Sequence, residues 1–334
     1  MLDVIINVLM NHQVRMAQAE AQEDDDDDIF VYMGGHQQVP DGVRRARIHP
    51  DVKIVRRRAF YFREHLIYVE FHDGVEIIEE EAFVGCWLLK GPIKLLGVKI
   101  IQAAAFGSCR SLTGVEFGDK LETIGKSAFH STALKKIRMP SVRTIRQGAF
   151  AWCTELSDVK FGKALMKLEE AFYRCSSLEQ IGLPLKGNMI DDIVFDQCPN
   201  LVTVDLVGGI HKTAASLHFE SWRSEIMDEI NSINQILPTS AEEKSAEIRQ
   251  WMRRVISQLD HFKAEHRKLL KEATTLLELA LWKANLSDNN GCEGEREGVR
   301  TTRGSRKRAR KEICVTSGAN VVIKNVLPFL QLSE

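Results

Sequence analysis

Apolar residues recur along the middle of the chain with a period of 21 to 23 residues. Six of the seven repeat phenylalanines follow an alanine, and a leucine comes five or six residues later in every unit. One phenylalanine marks each unit: Phe60, Phe83, Phe106, Phe129, Phe150, Phe172 and Phe195. A fixed period of this length that several columns share is the signature of a stacked-repeat architecture.

A short segment of alternating apolar and polar residues follows each of these leucines. In one unit Val115 and Phe117 flank Glu116, and in another Val159 and Phe161 flank Lys160. Alternation with a period of two predicts a strand with one buried face. One strand cannot hide that face alone, whereas seven stacked units can. The pattern predicts an α+β protein: a parallel-sheet solenoid of about seven coils with an internal phenylalanine spine, followed by a helical module.

Two segments carry a family resemblance. Leu112-Thr-Gly-Val-Glu-Phe117 and Ala105-Phe-Gly-Ser-Cys109 resemble the BspA-type leucine-rich repeat, and the resemblance extends over roughly residues 46–210. It implies the leucine-rich-repeat fold and no catalytic mechanism. The asparagine that commoner leucine-rich repeats place after the strand is missing. Residues 271–283 and 321–330 are similar to the tails of uncharacterised diatom proteins with this repeat.

The composition along the chain predicts five segments. They are an N-terminal arm with an acidic run, partly disordered (1–45), the solenoid (46–210), a helical hairpin or long helix (211–286), a disordered basic linker (287–312) and a C-terminal docking segment (313–334). In the third segment, residues 217–237 predict one helix that ends at Pro238. Apolar steps of three and four predict a second helix after it. The helical region either caps the solenoid or pairs with a second chain as a homodimer, and the sequence leaves both open.

Five of the seven cysteines stand three residues after a repeat phenylalanine: Cys86, Cys109, Cys153, Cys175 and Cys198. One thiol per coil makes a linear row, whereas zinc requires four ligands that converge tetrahedrally. We therefore expect no metal and no cofactor, and small buried apolar side chains that fill the core. Seven cysteines without a clear signal peptide favour a reducing compartment, so the expected location is intracellular, either cytoplasmic or nuclear.

The polar residue between the two buried positions of each strand must point to the concave surface. This column provides the candidate partner-binding residues Glu70, Lys94, Glu116, Arg138 and Lys160. They predict either a surface that binds a protein partner of unknown identity or a ladder of mutually neutralising charges. We find no phosphate loop, nucleophile elbow or metalloprotease motif. A non-catalytic binding or scaffold protein is therefore the expected function.

A basic run near residue 308 supports an alternative function. Its members are Arg306, Lys307, Arg308, Arg310 and Lys311, and Lys307-Arg308-Ala309-Arg310 fits a nuclear-import pattern. In this alternative the tail contacts import machinery or nucleic acid while the repeats hold a protein. The concave column mixes charge signs, so nucleic acid is expected only at the tail. No stretch approaches the roughly 18 to 20 apolar residues that a membrane span requires, so no membrane partner is expected.

Overall fold

A computed structural model of the chain describes residues 29–217, 219–238 and 244–290, with side chains up to residue 283. These residues form two compact units. The first contains the described residues up to Leu183 together with Met189–Leu201. The second contains Pro184–Asn188 and the described residues from Val202 onward. The first unit is a parallel β-solenoid, as the repeat pattern predicted.

The longer strands of the solenoid form its first ladder. They pair in parallel and in register within three separate hydrogen-bonded groups, so that Ile137 lies beside Val159 and Val69 beside Ala46. Their buried residues alternate with outward ones, as in the buried, exposed, buried pattern of Val115–Phe117. The strands are β1 (Ile29–Tyr32), β2 (Arg45–Ile48), β4 (Tyr68–Glu70), β6 (Ile93–Leu95), β8 (Val115–Phe117), β10 (Lys136–Met139), β12 (Asp158–Phe161) and β14 (Gln180–Pro184).

A second ladder consists of six two-residue strands in one parallel sheet. In each strand the second residue is buried, and the first lies at the surface. The strands are β3 (Ile54–Val55), β5 (Ile77–Ile78), β7 (Ile100–Ile101), β9 (Thr123–Ile124), β11 (Thr144–Ile145) and β13 (Lys167–Leu168). These strands return the chain to the alanine-phenylalanine step of the next coil.

The alanine-phenylalanine steps form a third set of contacts between coils. The main-chain N–H of each of the first six repeat phenylalanines donates to the carbonyl of the residue before the next one, as from Phe60 to Ala82 at 2.7 Å and from Phe172 to Val194 at 3.1 Å. The seven rings are at most 2% exposed. Neighbouring rings stack with centroids 4.7 to 6.0 Å apart and planes within 12° of each other.

Each coil also turns at residues with a left-handed backbone conformation, which the sequence pattern did not predict. The residue two positions after the phenylalanine has a positive φ in all seven coils, and only one of the seven is a glycine, Gly85. Phe62, Trp152 and Arg174 are among the others. The conformation persists because the N–H of this residue donates to the next coil, as from Trp152 to Tyr173 at 2.8 Å.

The stacked array begins before residue 46, where the sequence placed its start. Strand β1 pairs with β2, and Tyr32 is fully buried with its ring 5.3 Å from that of Phe60. The predicted arm of residues 1–45 is therefore wrong in its last part. Residues 29–32 lack the repeat phenylalanine, so the repeat pattern did not identify them as part of the array. Their backbone nevertheless continues the parallel ladder.

The second unit contains strand β15 (Thr203–Val207) and three helices, α1 (Ile210–Ala215), α2 (Glu220–Ile236) and α3 (Lys244–Asn290). The single helix predicted over 217–237 is thus shorter at its start and preceded by a separate turn of helix. Helix α3 continues past residue 286, so residues 287–290, predicted to be disordered linker, are helical. The main-chain N–H of Val204 in β15 donates to Asn234 Oδ1 of α2 at 2.9 Å.

Helices α2 and α3 form an antiparallel hairpin. The ring of Trp222, near the start of α2, stacks on Phe262 at 5.1 Å. Towards the other end, Trp251 Nε1 donates to the carbonyl of Glu229 at 2.8 Å, and Arg254 pairs with the Glu229 carboxylate at 2.8 Å. The core of the hairpin contains Ile226, Ile230, Ile233, Ile248, Trp251, Met252, Val255, Leu259 and Phe262.

Candidate interaction surface on the outward strand face

The five predicted surface residues all occupy the outward position of a strand in the first ladder. Lys94, Glu116 and Arg138 are exposed, whereas Glu70 and Lys160 are half-buried. Registered pairing places Lys94 beside Glu116 and Arg138 beside Lys160. The strand stacking thus brings the predicted residues into one column, and their charges fall into three sections with different local chemistry.

The first section is an ion pair whose basic member the sequence analysis left out. Arg47, on β2, lies directly beside Glu70, and its Nε is 2.5 Å from the Glu70 carboxylate. The guanidinium of the neighbouring Arg45 lies 5.9 Å from the ring centre of Tyr68. Glu70 is therefore neutralised within the sheet. The predicted column omitted Arg47 because β2 precedes Phe60, the first repeat phenylalanine, from which the column was counted.

The central section, at Lys94 and Glu116, has small residues on one side of its two charges. The residues before Lys94 and Glu116 on the same face are Pro92 and Gly114, which carry little side-chain bulk, whereas Leu96, 40% exposed, follows Lys94 on the other side. Gly91 explains part of this arrangement, because a Cβ at that position would lie 2.4 Å from the carbonyl oxygen of Gly114. In the part of the chain that the structure describes, no ion pair within 4.0 Å joins Lys94 to Glu116.

The third section is basic. Arg138 and Lys160 are direct neighbours on β10 and β12, and Lys136 is exposed on the same face of β10, where its registered neighbour is the half-buried Asp158 of β12. Among the described residues, no carboxylate lies within 4.0 Å of these three cations. Like charges directly opposite each other in a ladder destabilise the pairing. At Arg138 and Lys160 the alternation of signs that predicts mutual neutralisation therefore ends, and we call these two residues the basic section.

The repeat cysteines lie inside the solenoid and make a specific contact. Each thiol donates to the main-chain carbonyl of the phenylalanine one coil earlier, as from Cys86 to Phe60 at 3.1 Å and from Cys175 to Phe150 at 3.1 Å. Burial raises the pKa of Cys86 to about 12 and that of Cys153 to about 11. The thiols are thus protonated hydrogen-bond donors, which corrects the expectation of purely apolar filling.

Within residues 29–217, 219–238 and 244–290, no group of three or more histidine, cysteine, aspartate or glutamate side chains is arranged to hold a metal ion. The basic residues Arg306, Lys307, Arg308, Arg310 and Lys311 lie outside the described residues. The predicted nuclear-import motif stays a prediction. No helix in the described part of the chain combines the length and the apolar character needed to cross a bilayer.

Several solved structures are similar to this chain. A leucine-rich repeat protein from Bacteroides ovatus is 25% identical, with a TM-score of 0.44, over 56% of this chain and 47% of its own. A leucine-rich repeat protein from T. pallidum is 21% identical, with a TM-score of 0.38, over 60% of this chain and 92% of its own. A third, from Eubacterium ventriosum, is 19% identical, with a TM-score of 0.37, over 54% and 55%. The chain spans about half the length of the first and third of these relatives.

No curated protein matches the chain. The profile of the BspA type leucine rich repeat region matches it over residues 43–157, 92–202 and 128–236, in six copies. Together these matches cover more than half of the 334 residues. They include all seven phenylalanine units and the five predicted surface residues. The chain therefore belongs to the BspA type leucine-rich-repeat family.

Proposed function

We propose that the outward strand face binds a protein partner and that the chain has no catalytic role. Stacked repeats create extended surfaces that proteins of this kind use for binding. The observation that supports the proposal here is the basic section, in which Arg138 and Lys160 lie side by side without a carboxylate within 4.0 Å among the described residues. If the charged ladder served solubility alone, opposite charges at these two positions would make the strand pairing more stable.

The chemistry of the face favours a partner with an acidic surface. The basic section attracts carboxylates. The small residues Pro92 and Gly114 leave room for the partner's main chain or for a bulky side chain. Electrostatic complementarity of this kind raises the association rate and selects among partners more than it raises affinity. Glu70, already paired with Arg47, contributes less than Arg138 and Lys160 to such recognition.

Affinity capture with the tagged full-length chain tests this function. The test variant is Arg138→Glu with Lys160→Glu, and the matched control is Lys120→Glu with Lys126→Glu. The control changes the same number of exposed or half-buried charges away from the outward column. We expect the parent and the control to retain a common partner that the test variant loses, with all three melting at similar temperatures.

Two results would count against this function. Capture of the same partners by both variants would show that the outward face is only a solvated surface. Salt-sensitive nucleic-acid binding that disappears on deletion of residues 303–311 would instead support the alternative nuclear role of the basic tail. The likeness of residues 271–283 to diatom proteins supports no partner class by itself.

A further inference from the structure

The second half of helix α3 has an apolar face that is partly exposed. Leu276 and Leu281 are 67% and 51% exposed, and Leu269, Leu270 and Leu277 beside them are half-buried. Large apolar side chains exposed as a group mark an interaction site in a soluble domain. This half of the helix, residues 267–283, is called the distal half below.

The apolar face of the distal half continues the buried face of the hairpin. Successive helical residues turn by about 100°, so Ile248, Trp251, Val255 and Phe262 share one arc of α3. Leu276 and Leu281 fall on the same side, within about 140° of arc, whereas Leu279 and Trp282 lie on the opposite side of the helix. Helix α2 covers the first part of this stripe. Its cover ends near Phe262, because the antiparallel pairing places the start of α2 there through the Trp222 contact.

The distal face has the form of a groove with a small-residue floor. Leu269 and Leu276 form one row along the helix, and three further leucines form a second row. Ala273 and Ala280 lie between the rows at the spacing of about 100° per residue. A stripe of this width is typical of a helix packed in a globular core, and it is broader than the seam of a two-stranded coiled coil. The second row is Leu270, Leu277 and Leu281.

The chain itself contains an apolar segment that can reach this groove. Of the ten residues Val321–Leu330, seven are valine, isoleucine, leucine or phenylalanine, and Lys324 is the one charged residue. This segment lies outside the described residues. It is joined to the end of α3 by 30 residues, 291–320. A random-coil chain of that length spans on the order of 30 Å, whereas Asn290 is only about 21 Å from Leu276 along the helix axis.

Charge favours this segment over a second copy of the helix. The distal half carries four basic and two acidic residues, so two identical helices would bring like net charges together. Residues 312–334 carry two acidic residues, Glu312 and Glu334, and one basic residue, Lys324. A tethered segment also has a high effective concentration at its site, which a separate chain lacks.

We propose that residues 321–330 of the same chain occupy the groove on the distal half of α3. The proposal is independent of the function assigned to the outward strand face. Amide hydrogen exchange of the full-length chain tests it, with residues 248–262 of the hairpin as an internal reference. The test variant is Val326→Asp with Phe329→Asp, and the matched control is Asn325→Asp with Gln331→Glu at polar positions.

We expect the distal amides to be protected in the parent and in the control, and to exchange at least tenfold faster in the test variant. The reference amides should not change, which shows that the hairpin stays folded. A reciprocal change in the groove floor, Ala273→Glu, should have the same effect, whereas Thr275→Glu on the polar side should not. A synthetic peptide of residues 313–334, added to the chain truncated after residue 312, should restore the protection.

Two outcomes would overturn the proposal. Protection that rises with protein concentration and is unaffected by Val326→Asp with Phe329→Asp would show that a second copy covers the groove, and sedimentation would then detect a dimer. Equal and fast exchange of the distal amides in all the proteins would show that residues 321–330 do not bind there.

Discussion

The thiol of Cys109 donates to the main-chain carbonyl of Phe83, one coil earlier, with Sγ 3.2 Å from the oxygen. The same contact recurs at the other repeat cysteines. Two coils have no cysteine at this position. One has Arg63, and in the other Thr132 Oγ1 donates to the carbonyl of Phe129 in its own coil at 3.0 Å and lies 3.2 Å from Cys153 Sγ. From Cys86 onward the position therefore holds a small side chain that can donate a hydrogen bond.

Substitution at Cys109 separates this role from simple filling of space. We expect Cys109→Ala to lower the free energy of unfolding by about 1 to 2 kcal/mol, because it removes both buried volume and a donor. Cys109→Ser should cost less, since its hydroxyl can still donate to Phe83. Denaturant unfolding measures both. A serine variant less stable than the alanine variant would show that the position is only an apolar filler.

The buried thiols also predict a loss of stability at alkaline pH. Burial raises the pKa of Cys86 to about 12 and that of Cys153 to about 11, whereas the pKa of a thiol in the unfolded chain is about 8.5. The unfolded chain then releases protons that the folded chain keeps, so this contribution is complete below the unfolded pKa and is lost as pH rises towards the folded values.

Melting temperatures between neutral pH and about pH 10.5 test this expectation. The parent should lose stability more steeply with rising pH than a variant with Cys86→Ala and Cys153→Ala, which lacks two of the ionising groups. Comparison of the two curves removes the contribution of lysines and tyrosines that titrate in both proteins. Parallel curves would contradict the assignment.

The phenylalanine spine should dominate the stability of the solenoid. Phe129 is fully buried, with Phe106 and Phe150 stacked on its two faces at 5.2 and 5.5 Å. We expect Phe129→Ala to lower the free energy of unfolding by about 3 to 5 kcal/mol through the cavity that it creates. Met166→Ala is the control, because Met166 is 62% exposed and should change little. A denaturant midpoint that hardly moves for Phe129→Ala would contradict the central role of the stack.

Gly162 permits a close approach of two coils. A Cβ at this position would lie 1.8 Å from the carbonyl oxygen of Pro140, a distance that forces the backbones apart. We expect Gly162→Ala to lower the free energy of unfolding by roughly 2 kcal/mol or more. Gly42→Ala should be neutral, because a Cβ there meets no atom within 4 Å. Thermal unfolding of both variants checks the contrast, and equal melting temperatures would contradict it.

Much of the solenoid could be predicted because each coil repeats the same burial problem. The phenylalanine, leucine and strand columns identify the core and the outward positions, since a side chain that stacks on its own counterpart must be of the same type in every coil. Strand β1 and Arg47 escaped this reasoning. The first coil of the array has a neighbouring coil on one side only. Tyr32 can therefore take the place of a repeat phenylalanine there, and the phenylalanine period does not extend to it.

The left-handed residues escaped prediction for a different reason. A positive φ is expected at glycine or asparagine, but here Phe62, Trp152 and Arg174 adopt it. The hydrogen bond from each N–H to the next coil offsets the local strain, and only the stacked structure reveals that bond. The column predicts that Arg138 and Lys160 are neighbours, but it does not show which carboxylates lie near them, because those belong to other positions of the coils.

The stacking distance of the coils also has a consequence for the shape of a partner. Neighbouring rings in the spine are 4.7 to 6.0 Å apart, and the outward residues of successive strands follow at similar steps. An extended peptide laid along the column repeats its side chains on one face every 6.6 Å or so and falls out of step within two coils. An α-helix has a pitch of about 5.4 Å, so a helical partner would present about one turn to each coil along the column.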